Sequence, residues 1–279
     1  MDERLERLRA VLRKTAPALI AVSGGIDSRL LAWVARDTGL AFRAVHFQGP
    51  HQSPDESTRA LSWLGGLSGL GLPYHILPLS PLDAPDARAN TRERCYHCKR
   101  MLFRRAADLA RDLSGEGTFL RLLDGTNADD AASFRPGLRA LRECGVRSPL
   151  AEAGLGKADI RDLARLVGLD DPDQPARACL MTRFAYGIAP TRDLLALAGR
   201  GEDALYGLGL CQLRLRVPRL GPDGAPVFEL HLAPEERTRL HGLHDRVHAA
   251  LAACGIHVDA VLFPETLSGV YDTPGTGGA

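Results

Sequence analysis

The chain has 279 residues, 45% hydrophobic and 25% charged, with 35 lysines and arginines against 34 aspartates and glutamates. Such a composition excludes a disordered or fibrous chain and allows one large core, or one large and one small. The net charge of +1 supplies no overall field to draw in nucleic acid or an anionic membrane surface. No apolar run is long enough to span a bilayer, and none forms the core of a signal peptide. Six cysteines without an export signal read as reduced thiols or metal ligands, so a cytoplasmic protein is expected, with neither nucleic acid nor membrane as partner.

In chain order, MDERLERLRAVLRK reads as a charged amphipathic helix, ALIAV (18–22) as a buried strand, and 28–38 as the helix after it. FRAVHF (42–47) is a second strand, and DESTRALSWLGGL (55–67) has helical spacing broken by a Gly-Gly pair. YHILPL (74–79) is a third strand, and YHCKRMLFRRAADLAR (96–111) is an amphipathic helix. FLRLLDG (119–125) is a fourth strand, and KADIRDLARLVG (157–168) is a helix with a glycine stop. Strand and helix in alternation predict an α/β fold, a doubly wound parallel sheet with ligands at the carboxyl ends of its strands. The pattern then changes: a helix over 192–207, strands over 211–217 and 227–232, a helix over 234–253 and a last strand over 256–263. That order predicts a smaller α+β domain. The expected division is 1–188, 189–270 and a flexible tail over 271–279.

SGGIDS (23–28) falls in the first strand-to-helix turn. Glycines there let backbone approach an anion, and the N–H groups of a helix start supply donors and a favourable dipole. Ser23 and Ser28 add hydroxyls, Gly24 and Gly25 the bare backbone, and Asp27 a carboxylate for Mg2+ or a polar edge of a nucleotide. The plainer reading is a serine-capped turn found in any α/β protein. Cys95 and Cys98 stand at the start of the 96–111 helix, among Arg92, Arg94, Lys99 and Arg100. Helix amino ends and cations lower thiol pKa, so reactive or metal-binding sulfurs are expected. A structural zinc site completed by His97 or a distant residue stays open. Cys179, in a Pro- and Gly-bounded loop, offers a third sulfur; Cys144, Cys211 and Cys254 sit in or beside apolar segments and read as structural.

The loop resembles the PP-loop signature of ATP pyrophosphatases. With it, AVSGGIDSRLLA, SPDE, RCYHCK, DGTNADD followed by FRPG, ECGVRSPLAEAGLGKADIRDLA, QPARACLMTRFAYG and QLRLRV resemble the LarE-type sulfur transferases of nickel-pincer nucleotide biosynthesis. The resemblance runs from residue 21 to about residue 217. It implies that ATP is cleaved between its α and β phosphates, which suits a loop without the usual phosphate lysine. It also implies that the carboxylates of pyridinium-3,5-biscarboxylic acid mononucleotide are adenylated and become thiocarboxylates. Thr126, Asn127 and Asp129 are then expected over the nucleotide, with an Asn/Asp-rich turn that caps a helix as the plainer alternative. Cys179, Asp27, Arg183 and Glu202 carry over as catalytic residues, and Arg214 and Arg216 as ligands of substrate phosphate or carboxylate. A solvated basic face and a helix-surface glutamate are the plainer alternatives for the arginine pair and for Glu202. Glu229 is a weaker candidate.

For the sulfur source the resemblance allows two routes. Cys95, Cys98 and Cys179 hold a [4Fe-4S] cluster with one open iron position, which the presence of all three favours. Alternatively Cys179 gives up its own sulfur and becomes dehydroalanine. The family also implies a homo-oligomer, a hexamer in form, and a sulfide source or pathway partner protein. A tRNA-thiolating enzyme shares the loop and the three cysteines, but the neutral charge and absence of an RNA-binding segment count against it. A non-enzymatic nucleotide sensor with structural zinc is the third reading. The sequence departs from the family pattern at Leu180 to Arg183, at HFQG (46–49) and at VLFPETLSGVYD (261–272).

Overall fold

The computed structural model describes residues 2–115, 119–131 and 136–272. It divides into two compact units, the first comprising Met1–Gly49, Glu56–Leu79 and Cys95–Ala176, the second Pro50–Asp55, Ser80–Arg94 and Arg177–Ala279. Residues 273–279 of the expected tail, and Phe134 and Arg135 of the FRPG string, lie outside the described residues.

In the first unit, α1 (Glu3–Thr15) is followed by β1 (Ala18–Ala21), α2 (Ile26–Asp37), β2 (Phe42–Gln48), α3 (Pro54–Gly69) and β3 (Tyr74–Pro78). Next come α4 (Arg94–Asp112), β4 (Arg121–Leu123), α5 (Pro136–Glu143) and α6 (Lys157–Leu166), with short helical turns between them. All strands are parallel, in the order β3-β2-β1-β4. Side chains alternate across a strand, and the burial follows. Ala18, Ile20 and Val22 pack with α1, α2 and α6, whereas Leu19 packs with Phe103, Ala106 and Ala110 of α4. Helices therefore cover both faces, as a doubly wound sheet requires.

Local chemistry explains the elements. In α1, Leu5, Leu8 and Leu12 form one buried stripe, each worth about 1.5–3 kcal/mol of burial; Asp2 caps its start by accepting from Arg4 N at 2.8 Å. The Gly65-Gly66 pair does not break α3, where Leu64 and Leu67 are buried. The fourth strand is shorter than expected. Its pairing begins where Arg121 meets Ala18, so Phe119 falls outside it and is exposed.

The second unit holds α7 (Arg192–Gly207), β5 (Leu213–Leu220), β6 (Pro226–Leu232), α8 (Arg237–Ala253) and β7 (Val258–Leu262). Its sheet has the order β5-β6-β7, with β5 and β6 antiparallel and β6 and β7 parallel. One face, carrying Leu213, Leu215, Leu230 and Leu232, joins Leu205, Val247 and Leu251 in the core. Gly201 lets α7 lie close: a Cβ there would stand 2.5 Å from both Ile256 and Leu215. The register of β5 slips between Arg216 and Arg219, around Pro218, which has no N–H to give to a ladder.

Candidate functional site

In the first unit the strand order reverses between β1 and β4, the position where parallel α/β sheets place ligands. SGGIDS leaves β1 there and DGTNADD leaves β4. Gly24 has φ +91°, and a Cβ on it would lie 2.7 Å from Ala60 Cβ. The turn is tied internally: Ser23 N donates to Ser28 Oγ at 3.2 Å, and Ser28 Oγ donates to Gly25 O at 3.0 Å. Gly25 caps α2 without a side-chain hydrogen bond. Gly25 N itself donates to Ser23 Oγ at 3.4 Å, and the first N–H groups of a helix, which lack partners within it, suit a group of negative charge. Gly125 brings the second loop against the first, since a Cβ on it would be 3.0 Å from Ser28 N.

Asp27 Oδ1 accepts from Lys157 Nζ at 2.7 Å, and Asn127 Nδ2 stands 3.5 Å from Asp27 Oδ2. Lys157 opens α6, whose backbone N–H donates to Asp129 Oδ2 at 2.7 Å. Asn127 Oδ1 accepts from Asp130 N at 2.9 Å. Asn127 and Asp129 therefore do cap helix starts, while the same loop stands beside Asp27. Asp124 fixes it from behind, accepting from Thr126 Oγ1 and from Ser148 Oγ, each at 2.6 Å. Lys157 and Asp124 were not singled out by the sequence reading. Both lie inside quoted motif strings, but only the fold shows which side chains converge. His46, at the end of β2, is buried and donates Nδ1–H to Val22 O at 2.8 Å, and burial lowers its pKa. Its ring secures the strand end from which the glycine turn departs.

Cys95 and Cys98 lie one turn apart at the start of α4, the first exposed and the second half-buried. Cys179, half-buried, belongs to the second unit. There its carbonyl accepts from Thr182 Oγ1 at 2.8 Å and opens a short turn over Leu180–Arg183. Among the described residues no group of three or more histidine, cysteine, aspartate or glutamate side chains is gathered to hold a metal ion. The three thiols nonetheless are the donor type that iron–sulfur clusters take.

The second unit buries an ion pair beside that turn. Arg183 donates from Nε to Glu202 Oε1 at 2.7 Å and from Nη2 to Oε2 at 2.9 Å, with side chains 1% and 3% exposed. Burial opposes the charge of Arg183, but the Glu202 carboxylate holds its pKa above the ordinary value. Glu202 also accepts from Leu215 N at 2.8 Å, so it is not a helix-surface residue. Next to it, Asp203 accepts from Ser53 Oγ and Arg177 Nη1 at 2.7 and 2.8 Å, which gives the SPDE segment a partner. Arg214 and Arg216 share one face of β5 and are buried, which removes the solvated-face alternative. Burial lowers the Arg216 pKa to about 10, still a cation at neutral pH. Glu229 lies opposite Arg216 on β6.

No family model matches the chain. An uncharacterized protein of Synechocystis is 36% identical over 217 residues, 77% of this chain and 78% of the relative. Another of Methanocaldococcus jannaschii is 31% identical over 173 residues, 62% of this chain and 63% of the relative. Pyridinium-3,5-bisthiocarboxylic acid mononucleotide synthase of Lactiplantibacillus plantarum is 32% identical over 209 residues, 74% of this chain and 73% of the relative. The chain belongs to the LarE-type sulfur transferase family. The glycine turn belongs to the first unit, and Cys179 with the buried Arg183, Arg214 and Arg216 to the second. No helix among the described residues is long and apolar enough to cross a membrane.

Proposed function

We propose that this protein is an ATP-dependent sulfur transferase that adenylates the carboxylates of pyridinium-3,5-biscarboxylic acid mononucleotide and replaces them by thiocarboxylates. The observation that carries this reading is the Asp27–Lys157 pair, at 2.7 Å, beside the glycine turn at the reversal of strand order. It supports the reading because Lys157 is a cation close to a phosphate loop that has no lysine of its own. A substrate carboxylate oxygen attacks the α-phosphorus of ATP. The bond from that phosphorus to the bridging oxygen breaks, and pyrophosphate leaves. Backbone N–H groups of Gly24, Gly25 and the start of α2 receive the pyrophosphate, and Lys157 neutralises charge as it develops. Asp27 orients Lys157 and is the residue that would hold Mg2+, an ion that spreads phosphate charge when bound. Ser23, Ser28, Thr126 and Asn127 line the nucleotide.

Adenylation converts a poor leaving oxygen into AMP, which a sulfur nucleophile then displaces at the carbonyl carbon. Arg183, Arg214 and Arg216 bind substrate phosphate and carboxylate, and Glu202 fixes Arg183. Cys95, Cys98 and Cys179 would hold a [4Fe-4S] cluster, which offers an open iron position for sulfide when bound. In the other route Cys179 attacks the acyl adenylate; its Cβ–S bond then breaks with loss of the α-proton, which leaves dehydroalanine. The reading places the enzyme in the cytoplasm as a homo-oligomer supplied by a sulfide-donating partner.

Pyrophosphate release from ATP and the pyridinium substrate tests the reading. Wild type releases it, and Asp27→Ala, with an unchanged circular dichroism spectrum, does not; normal turnover by Asp27→Ala overturns the role of the loop. Cys179→Ala retains pyrophosphate release and makes no thiolated product. Anaerobic protein with about four iron atoms per chain, lost in Cys95→Ala, supports the cluster route; iron-free active protein supports the sacrificial one.

A further inference from the structure

The second unit's sheet has an apolar face and an opposite face that is polar yet buried. Arg214 pairs with His231 and Arg216 with Glu229 across β5 and β6, so all four side chains stand on one side. Arg214, Arg216 and His231 are 4%, 3% and 5% exposed. Withdrawing such groups from water costs free energy unless each finds a partner, and two atoms on this face have none. Arg216 donates from Nη1 to Thr182 O at 3.1 Å and from Nη2 to Leu267 O at 2.5 Å, but its Nε is buried without a partner. His231 Nδ1 is likewise buried without a partner.

The tautomer of His231 follows from its other nitrogen. Nε2 lies 2.9 Å from Glu229 Oε2, and a carboxylate only accepts, so Nε2 carries the proton. Burial pushes the ring's pKa below its ordinary value against the pull of Glu229, and the charge of Arg216 adds to the push. The ring is therefore neutral, and Nδ1 presents a lone pair that can only accept. An anionic oxygen cannot satisfy it. On the mononucleotide of the proposed function, the phosphate and carboxylates are acceptors and the pyridinium ring has no N–H. The ribose hydroxyls are its only strong donors.

We propose that His231 binds substrate by accepting a hydrogen bond at Nδ1 from a ribose hydroxyl, with Glu229 fixing the tautomer, and so selects ribosyl over deoxyribosyl mononucleotides. This rests on the substrate assigned above. It makes His231 a specificity residue beside the arginines that take the anion. A site built around a hydroxyl rejects an analogue lacking it, because the buried acceptor is then left unpaired.

Calorimetric binding of pyridinium-3,5-biscarboxylic acid mononucleotide and its 2′,3′-dideoxyribosyl counterpart to the full chain tests this. Wild type is expected to bind the ribosyl ligand roughly tenfold tighter. His231→Leu erases that preference by weakening ribosyl binding alone. His231→Asn, which keeps an acceptor near the Nδ1 position, restores part of it, and ATP binding stays unchanged in both variants. Equal binding of the two ligands by wild type, or a preference that survives in His231→Leu, overturns this inference and leaves the proposed function standing. Binding of neither ligand by wild type overturns both.

Discussion

Glu202→Ala would strand the Arg183 guanidinium in the interior of the second unit. Both side chains of the pair are almost fully buried, 1% and 3% exposed, so solvent screening does little to soften the loss. Removing one partner of a buried pair costs about 3–5 kcal/mol. The Leu215 N–H, which donates to the same carboxylate at 2.8 Å, loses its acceptor for about 1 kcal/mol more. The expected loss is about 4–6 kcal/mol, a large part of the 5–15 kcal/mol typical of a domain. Glu202→Gln keeps the shape and one acceptor, and loses about 1.5–3 kcal/mol. Urea unfolding followed by near-ultraviolet circular dichroism reads both, since urea, unlike guanidinium, leaves ion pairs unscreened. Arg165→Ala, which removes the exposed pair with Asp173, should leave the midpoint where it is. A loss under about 1 kcal/mol for Glu202→Ala would refute the reasoning, because it would mean that Arg183 finds water or another anion at once.

Gly24→Ala places a side chain at φ +91° and 2.7 Å from Ala60 Cβ, with about 1–2 kcal/mol from the backbone alone. ATP-dependent pyrophosphate release should be lost, and adding Ala60→Gly should return only part of it. Full activity in Gly24→Ala would show that the turn does not need its left-handed residue. Lys157→Met keeps the length of the side chain and removes the charge facing Asp27. The KM for ATP should rise roughly tenfold, and Lys157→Arg should recover part of the loss; an unchanged KM would reduce Lys157 to a helix-start residue. Burial depresses the pKa of His46, and of His75 and His231, in the folded state. The unfolded chain therefore binds more protons below pH 6.5, and stability falls as pH drops through that value. His46→Gln should flatten the slope of the urea midpoint between about pH 6.5 and pH 5, and an unaltered slope would remove His46 as a source.

The sequence by itself settled most of the first unit. Its strands are short apolar runs closed by turn residues, and such runs can be buried only between two layers of helices; the alternation of strand and helix then leaves a doubly wound sheet as the outcome. SGGIDS raised the expectation of an anion site, because glycines at a helix start let backbone N–H groups face an anion. Edges were less legible. Phe119 looks like part of β4, but pairing with β1 begins only at Arg121.

What tertiary structure decided was which polar side chains meet. Lys157 is 130 residues from Asp27 along the chain, and no local pattern states that a helix-opening lysine will turn toward the glycine loop. Glu202 and the arginines of QLRLRV have the spacing of ordinary surface residues. Period alone cannot say whether a polar face meets water or protein, and here Arg214 and Arg216 are buried. The pairing of His231 with Glu229 belongs to the same class: a two-residue spacing on a strand puts both on one face, and only the fold shows that His231 is buried there.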